Sequence, residues 1–141
     1  MKKILVVDDD ALILHLYRQQ FTAAGFNVET ATDGVAAIKI LHAEKPDLVV
    51  LDLMMPRLSG VEVLKFIRTD AGLRETPVVI LSNCFMDDMR KTATALGVQG
   101  ALYKSESKPS DLVALAVSVL ENAKPGALTV DGVTLDRKSV V

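Results

Sequence analysis

Short aliphatic runs alternate along this chain with longer stretches in which apolar positions recur every three or four residues. The runs are "KILVV" (Lys3 to Val7), "NVETA" (Asn27 to Ala31), "DLVVLD" (Asp47 to Asp52), "PVVILS" (Pro77 to Ser82) and "GALYK" (Gly100 to Lys104). The aliphatic stretches Ile4 to Val7, Leu48 to Leu51 and Val78 to Leu81 within these runs suit strands buried on both faces. Between the first two, Ile13, Leu16, Tyr17, Phe21 and Ala24 mark a helical stripe, and Gly25 offers a left-handed stop. Ala37, Ile38 and Leu41 predict a second helix that ends before Pro46, and Val61, Leu64 and Ile67 a third. Met89, Ala93 and Leu96 predict a fourth closed by Gly97, and Leu112, Leu115, Ala116, Val119 and Leu120 a fifth. Strands alternating with amphipathic helices predict an α/β fold: five parallel strands covered by helices on both faces.

Composition narrows the possibilities. A chain of 141 residues, half of them hydrophobic, holds the core of one ordinary domain with a modest remainder. A formal charge of −2 provides no general basic surface for nucleic acid. One cysteine excludes an internal disulfide, and the polar start "MKK" leads into too few apolar residues for a signal core or a membrane span. A cytoplasmic protein that binds neither membrane nor nucleic acid is the expectation.

In open parallel sheets, ligands sit outside the carboxyl ends of the strands. The sequence places Asp8 and Asp9 after the first run, Asp52 at the end of the third, Ser82 at the end of the fourth and Lys104 at the end of the fifth. Asp10, the last of three adjacent acids, directly precedes the first helical stripe and is expected to cap it.

The ordered set "VVDDD", "DLVVLDLMMPRLSG", "PVVILS" and the lysine of "YKS" resembles the receiver domain of bacterial two-component response regulators, from about Lys3 to Asn122. The resemblance implies a doubly wound sheet of strand order 2-1-3-4-5, the flavodoxin-like order. It also implies phosphoryl transfer from a sensor histidine kinase or phosphotransfer protein to an aspartate, which by position is Asp52. The product is a changed surface that switches partner binding, so the expectation is a signalling phosphoacceptor rather than an enzyme, with a homodimer left open. An acyl phosphate formed among other carboxylates needs charge neutralisation, for which Mg2+ is suited. Asp9 and Asp52 are then expected as direct ligands, Asp8 as a direct or water-mediated one, and Met54 through its backbone carbonyl. Lys104 and the Ser82 hydroxyl are expected to bind phosphoryl oxygens.

Other readings compete. Adjacent aspartates after a strand are often only a solvated loop, and Ser82 alone would pass for a turn residue. The Asp8-x-Asp10 pair matches the nucleophile and acid of haloacid-dehalogenase-type phosphatases, but Leu12 stands where those carry Thr or Val, and Lys104 follows the later acids Asp87 and Asp88 instead of preceding them. A receiver-like interaction module that no longer accepts phosphate is the third reading. Asp87 and Asp88 fit the positive end of the fourth helix, and His15 and His42 lack metal-ligand neighbours in sequence.

Several positions depart from the family pattern. Ser105 replaces the usual proline after the lysine, so the Lys104–Ser105 bond is expected to be trans. Ala101 stands where many receivers carry a switching aromatic, while Tyr103 lies two residues on and shares its strand face. Asn83 and Cys84 are expected to rim the site, Cys84 without an activating partner. In "MMPRLSG", Met55 is expected in the core and Gly60 at an unusual backbone angle. The domain is assigned to residues 1–123 and a tail or linker to 124–141. In that tail "ALTVDGVTL" carries a hairpin signal that resembles the opening strands of a winged-helix output domain.

Overall fold

The computed structural model describes residues 1–55, 57–83, 87–122, 127–130 and 133–136. Five strands, β1 (Lys3–Val7), β2 (Asn27–Ala31), β3 (Leu48–Asp52), β4 (Val78–Ser82) and β5 (Gly100–Tyr103), form one sheet of order β2-β1-β3-β4-β5. All four pairings are parallel. The helices α1 (Ala11–Ala23), α2 (Gly34–Glu44), α3 (Gly60–Thr69), α4 (Asp87–Leu96) and α5 (Pro109–Asn122) connect or follow the strands. This is the doubly wound α/β arrangement expected above.

Side-chain alternation divides the core in two. Ile4, Val6, Leu48, Val50, Val79 and Leu81 pack with Leu14, Phe21, Leu112, Ala116 and Val119, on the face covered by α1 and α5. Leu5, Val7, Val49, Leu51, Val78 and Ile80 pack with Ala37, Leu41, Leu64, Ile67 and Ala93, on the face covered by α2, α3 and α4. Both faces are dry, which explains why the central strands carry no alternating polar positions.

The buried face of α1 is rotated from the expected stripe. Leu14 and Phe21 are buried, whereas Leu16 and Ala24 are exposed. Period counting gave weight to Leu16 because an exposed leucine carries the same pattern as a buried one. The stop at Gly25 holds, with φ of +95°. Phe26 N–H donates to the Phe21 carbonyl at 3.1 Å and Gly25 N–H to that of Thr22 at 3.0 Å. The Phe21 and Phe26 rings meet edge to face at 5.9 Å, so the helix end is closed by both backbone and side chains.

Other boundaries move slightly. β3 and β4 begin one residue later than read, at Leu48 and Val78. Lys104 is not in β5 but opens a 3-10 turn, Lys104–Glu106. No cis peptide bond occurs among the described residues, so the bond before Ser105 is trans as expected. In the tail, β6 (Ala127–Val130) and β7 (Val133–Asp136) pair antiparallel, as the hairpin signal implied. The Asp-Gly turn between them, and Cys84, lie outside the described residues.

One staple ties the far end of the sheet together. The Arg68 guanidinium donates to the carbonyls of Gly97, Arg74 and Thr76 and to Gln99 Oε1, at 2.8 to 3.2 Å. It thereby joins the end of α3 to the loops that feed β4 and β5, opposite the strand ends that carry the acids.

Candidate functional site

The register brings the strand-end groups together. Val7 pairs with Leu51, so the next residues along, Asp8 and Asp52, end adjacent strands side by side. Asp52 in turn pairs with Leu81, and Ser82 with Tyr103. Asp8 and Asp52 continue the phase of the residues that face α1 and α5, while Ser82 and Tyr103 continue the opposite phase.

Asp8 is fully buried, and Asp52 and Ser82 are nearly so. The two acids are held in the same way. Asp8 Oδ1 accepts from the Asp10 N–H at 2.9 Å and Asp52 Oδ1 from the Met54 N–H at 3.2 Å, each an Asx-type turn as the chain leaves a strand. Their second oxygens both face Lys104, whose Nζ lies 2.8 Å from Asp8 Oδ2 and 3.2 Å from Asp52 Oδ2. The contact with Asp52 has hydrogen-bond geometry, whereas the shorter one with Asp8 is an ion pair alone.

Electrostatics follow from this packing. Burial, and then the charge of Asp8, push the Asp52 carboxyl up to about 6, and Lys104 only partly offsets them. Burial also raises Asp8 against the pull of Lys104. For Lys104, burial acts downward, but the two carboxylates together hold it above its ordinary value. One cation therefore faces two buried carboxylates, which leaves the site short of positive charge.

Asp9 is exposed, yet one of its oxygens can join those of Asp8 and Asp52 in a cluster whose ligand atoms all lie within 4.8 Å of one another. Three carboxylates so close together, two of them shielded from water, are the donor set a hard divalent cation requires. Among the described residues, the buried Ser82 hydroxyl has no hydrogen-bond partner, a costly state for a polar group unless something else fills it. Asp10 stands apart from the cluster: it accepts from the N–H groups of Leu12 and Ile13 at 3.0 and 3.3 Å and caps α1. That engagement is the role expected of it, and it removes Asp10 from the Asp-x-Asp pair a phosphatase of the other type would need.

The loop after β3 is shaped by close approach. A Cβ on Gly60 would come within 2.1 Å of the Asp52 carbonyl and 2.7 Å of Leu53 Cα. Gly60 is thus required by space and not, as expected from sequence, by an unusual angle. The left-handed residue of this loop is Arg57, with φ of 71°, which pairs with Asp33 at 3.2 Å. Met55 is buried as expected, and the Met54 side chain is mostly exposed. Asn83 is exposed beyond Ser82, consistent with a place at the rim. Asp87 and Asp88 occupy the first turn of α4, and His15 and His42 are exposed.

Two features were not read from the sequence. Tyr17, counted as core, is half-buried on α1 within electrostatic reach of Asp8, Lys104 and Asp52, and its burial, followed by the charge of Asp8, raises its hydroxyl above the ordinary range. Arg90 of α4 stacks over the Tyr103 ring, 4.3 Å from its centre. Neither pairing has a local sequence signal, since each joins elements far apart in the chain.

An open parallel sheet of this order, with buried acids and a lysine at its carboxyl edge, defines a class, and comparison with known proteins agrees. The chain matches the response regulator receiver domain over residues 4–117, and it belongs to that family. It is similar to the alkaline phosphatase synthesis transcriptional regulatory protein PhoP of Bacillus subtilis, 51% identical over 67 residues that cover 48% of this chain and 28% of PhoP. It is also similar to the response regulator MprA of Mycobacterium avium, 33% identical over 140 residues that cover 95% of this chain and 60% of MprA. This chain thus spans less than two thirds of either regulator. Among solved structures, the receiver domain of NtrX from Brucella abortus superposes with a TM-score of 0.76 at 30% identity, covering 84% of this chain and 98% of that one.

Proposed function

We propose that this chain is a phosphoacceptor switch that takes a phosphoryl group on Asp52 from a phosphohistidine of a sensor kinase or phosphotransfer protein. The observation that carries the reading is the pairing of two buried carboxylates with one lysine beside a buried hydroxyl that, among the described residues, has no hydrogen-bond partner. In this reading Asp52 Oδ attacks phosphorus, the phosphorus–nitrogen bond breaks, and the histidine leaves with a proton. Asp8, Asp9 and Asp52, together with the Met54 carbonyl, are the residues that would hold Mg2+. The ion's part is to offset the negative charge that gathers on the reacting oxygens. Lys104 binds one phosphoryl oxygen, and Ser82 donates to another once the group has arrived. Asn83 at the rim limits the approach of attacking water and so helps set how long the modification lasts.

The function is signalling. The chain assists its own modification and hydrolysis, and its product is a changed surface that biases binding to an output partner, with a homodimer as one form of that output. We assign the receiver to residues 1–123 and a linker to 124–141, the tail strands being the start of an output domain like those of longer regulators. Among the described residues, no helix is long and apolar enough to cross a membrane. The reading is tested by incubation with acetyl phosphate and Mg2+ followed by intact-mass analysis. One phosphoryl addition is expected for the wild type and none for Asp52→Asn.

A further inference from the structure

We propose that the start of α2 clamps the loop between β3 and α3, and that Gly34, Asp33 and Arg57 thereby position Met54 for the metal and Asp52 for the incoming group, a role that rests on the phosphoacceptor reading above. The Met54 N–H donates to Asp52 Oδ1 at 3.2 Å, so the path of this loop sets the orientation of the acceptor carboxylate. The Met54 side chain is mostly exposed and does not anchor that path by packing. Its anchors lie on either side. At the α3 end, Gly60 N–H donates to the Leu53 carbonyl at 3.0 Å. At the α2 end, Leu58 lies against buried Gly34, where a Cβ would come within 2.5 Å of the Leu58 carbonyl oxygen and 2.7 Å of its Cβ. Only glycine permits that approach.

The Asp33 carboxylate joins the same two elements. Its Oδ1 accepts from the Ala36 N–H at 2.8 Å and caps α2, while its Oδ2 accepts from Arg57 Nη1 at 3.2 Å. Arg57 holds φ of 71°, a left-handed backbone that strains a side-chain-bearing residue and persists where its surroundings impose it. The Arg57 side chain is exposed, so the pair contributes little to overall stability, and its effect falls on where the loop sits. Both side chains are positioning residues: Asp33 spends its oxygens on Ala36 and Arg57 and touches no reacting atom. Charge separates this role from simple electrostatics. As a point charge, Arg57 repels Mg2+, and its removal would tighten metal binding. As half of a clamp, its removal weakens binding.

The experiment measures Mg2+ binding to the whole chain by titration calorimetry, with denaturant unfolding to confirm that each variant is folded. Arg57→Gly keeps the left-handed backbone and deletes the pair, and Asp33→Asn keeps the cap acceptor and deletes the charge. Each is expected to raise the Mg2+ dissociation constant about two- to five-fold, the factor that corresponds to losing one exposed ion pair. The double variant is expected to lose no more than either single one, because the two residues act as a unit. Gly34→Ala, which alters no charge, is expected to lose about ten-fold or more in affinity, as for groups that support metal ligands. The surface pair tests the clamp whether or not Gly34→Ala folds. Arg57→Gly that binds Mg2+ as tightly as wild type, or more tightly, overturns the clamp alone, as do additive losses in the double variant or wild-type affinity in a folded Gly34→Ala. A wild type that binds no Mg2+, or whose mass is unchanged by acetyl phosphate with Mg2+, overturns the phosphoacceptor reading and the clamp with it.

Discussion

Lys104 Nζ stands 2.8 Å from Asp8 Oδ2, and Asp8 has no exposed surface. The lysine is thus committed first to a carboxylate that is not the proposed acceptor, and its 3.2 Å contact with Asp52 is the longer of the two. A single cation serves two buried anions, and removing it leaves both uncompensated.

The first prediction concerns that cation. Replacing Lys104 with Met keeps most of the side-chain volume and deletes the charge. At pH 7.5 the variant is expected to lose about 3–5 kcal/mol in denaturant unfolding, the usual cost of stranding a buried charge. The loss should shrink toward pH 5, as the Asp52 carboxyl, raised to about 6, takes up a proton. A deficit that is the same at both pH values would refute this account of the site.

The wild-type pH profile should run opposite to that of an ordinary salt-bridged carboxylate. Asp52 is pushed from 3.8 up to about 6, and Asp8 is also raised, so between these values the folded state binds more protons than the unfolded chain. Stability is therefore present below about pH 4 and lost as pH rises through about 6. Asp52→Asn removes the Asp52 contribution and is expected to be about 1–3 kcal/mol more stable than wild type at pH 7 without Mg2+. Chemical unfolding of both proteins from pH 4.5 to 7.5 checks the sign.

Neighbouring aspartates should separate cleanly. Asp10→Ala removes the acceptor for Leu12 and Ile13 N–H and is expected to cost about 0.5–2 kcal/mol. The Asp10 backbone N–H that steadies Asp8 survives the change, so modification by acetyl phosphate should persist. Asp9→Ala is expected to leave stability nearly unchanged and abolish Mg2+-dependent modification. Thermal melts and intact mass on the two variants give the comparison.

Gly60→Ala should fail for steric reasons. Its Cβ would press on the backbone of Asp52 and Leu53, atoms that cannot swing aside. A loss above about 2 kcal/mol is expected, with slower modification of Asp52 because the loop bearing Met54 must shift. An alanine variant as stable as the wild type would show that this loop does not need the close approach.

The sequence disclosed the fold because the central strands are buried on both faces, so Ile4 to Val7 and Val78 to Leu81 are apolar without interruption. It disclosed the strand-end residues because acids and a lysine at the end of such runs have no packing role to explain them. What it did not disclose depends on contacts across the chain. The orientation of α1 follows from packing on β1 and α5, which buries Leu14 and leaves Leu16 exposed. The need for Gly60 follows from how closely α3 approaches β3, and the stacking of Arg90 on Tyr103 from how α4 lies on β5.

The central claim is that Asp52 itself carries the phosphoryl group. Borohydride reduces an aspartyl phosphate to homoserine, which marks the modified position permanently, and peptide mass mapping then locates it. After treatment with acetyl phosphate and Mg2+, homoserine is predicted at position 52. Homoserine at position 8 or 9, or a fully modified protein with none at position 52, would contradict the account.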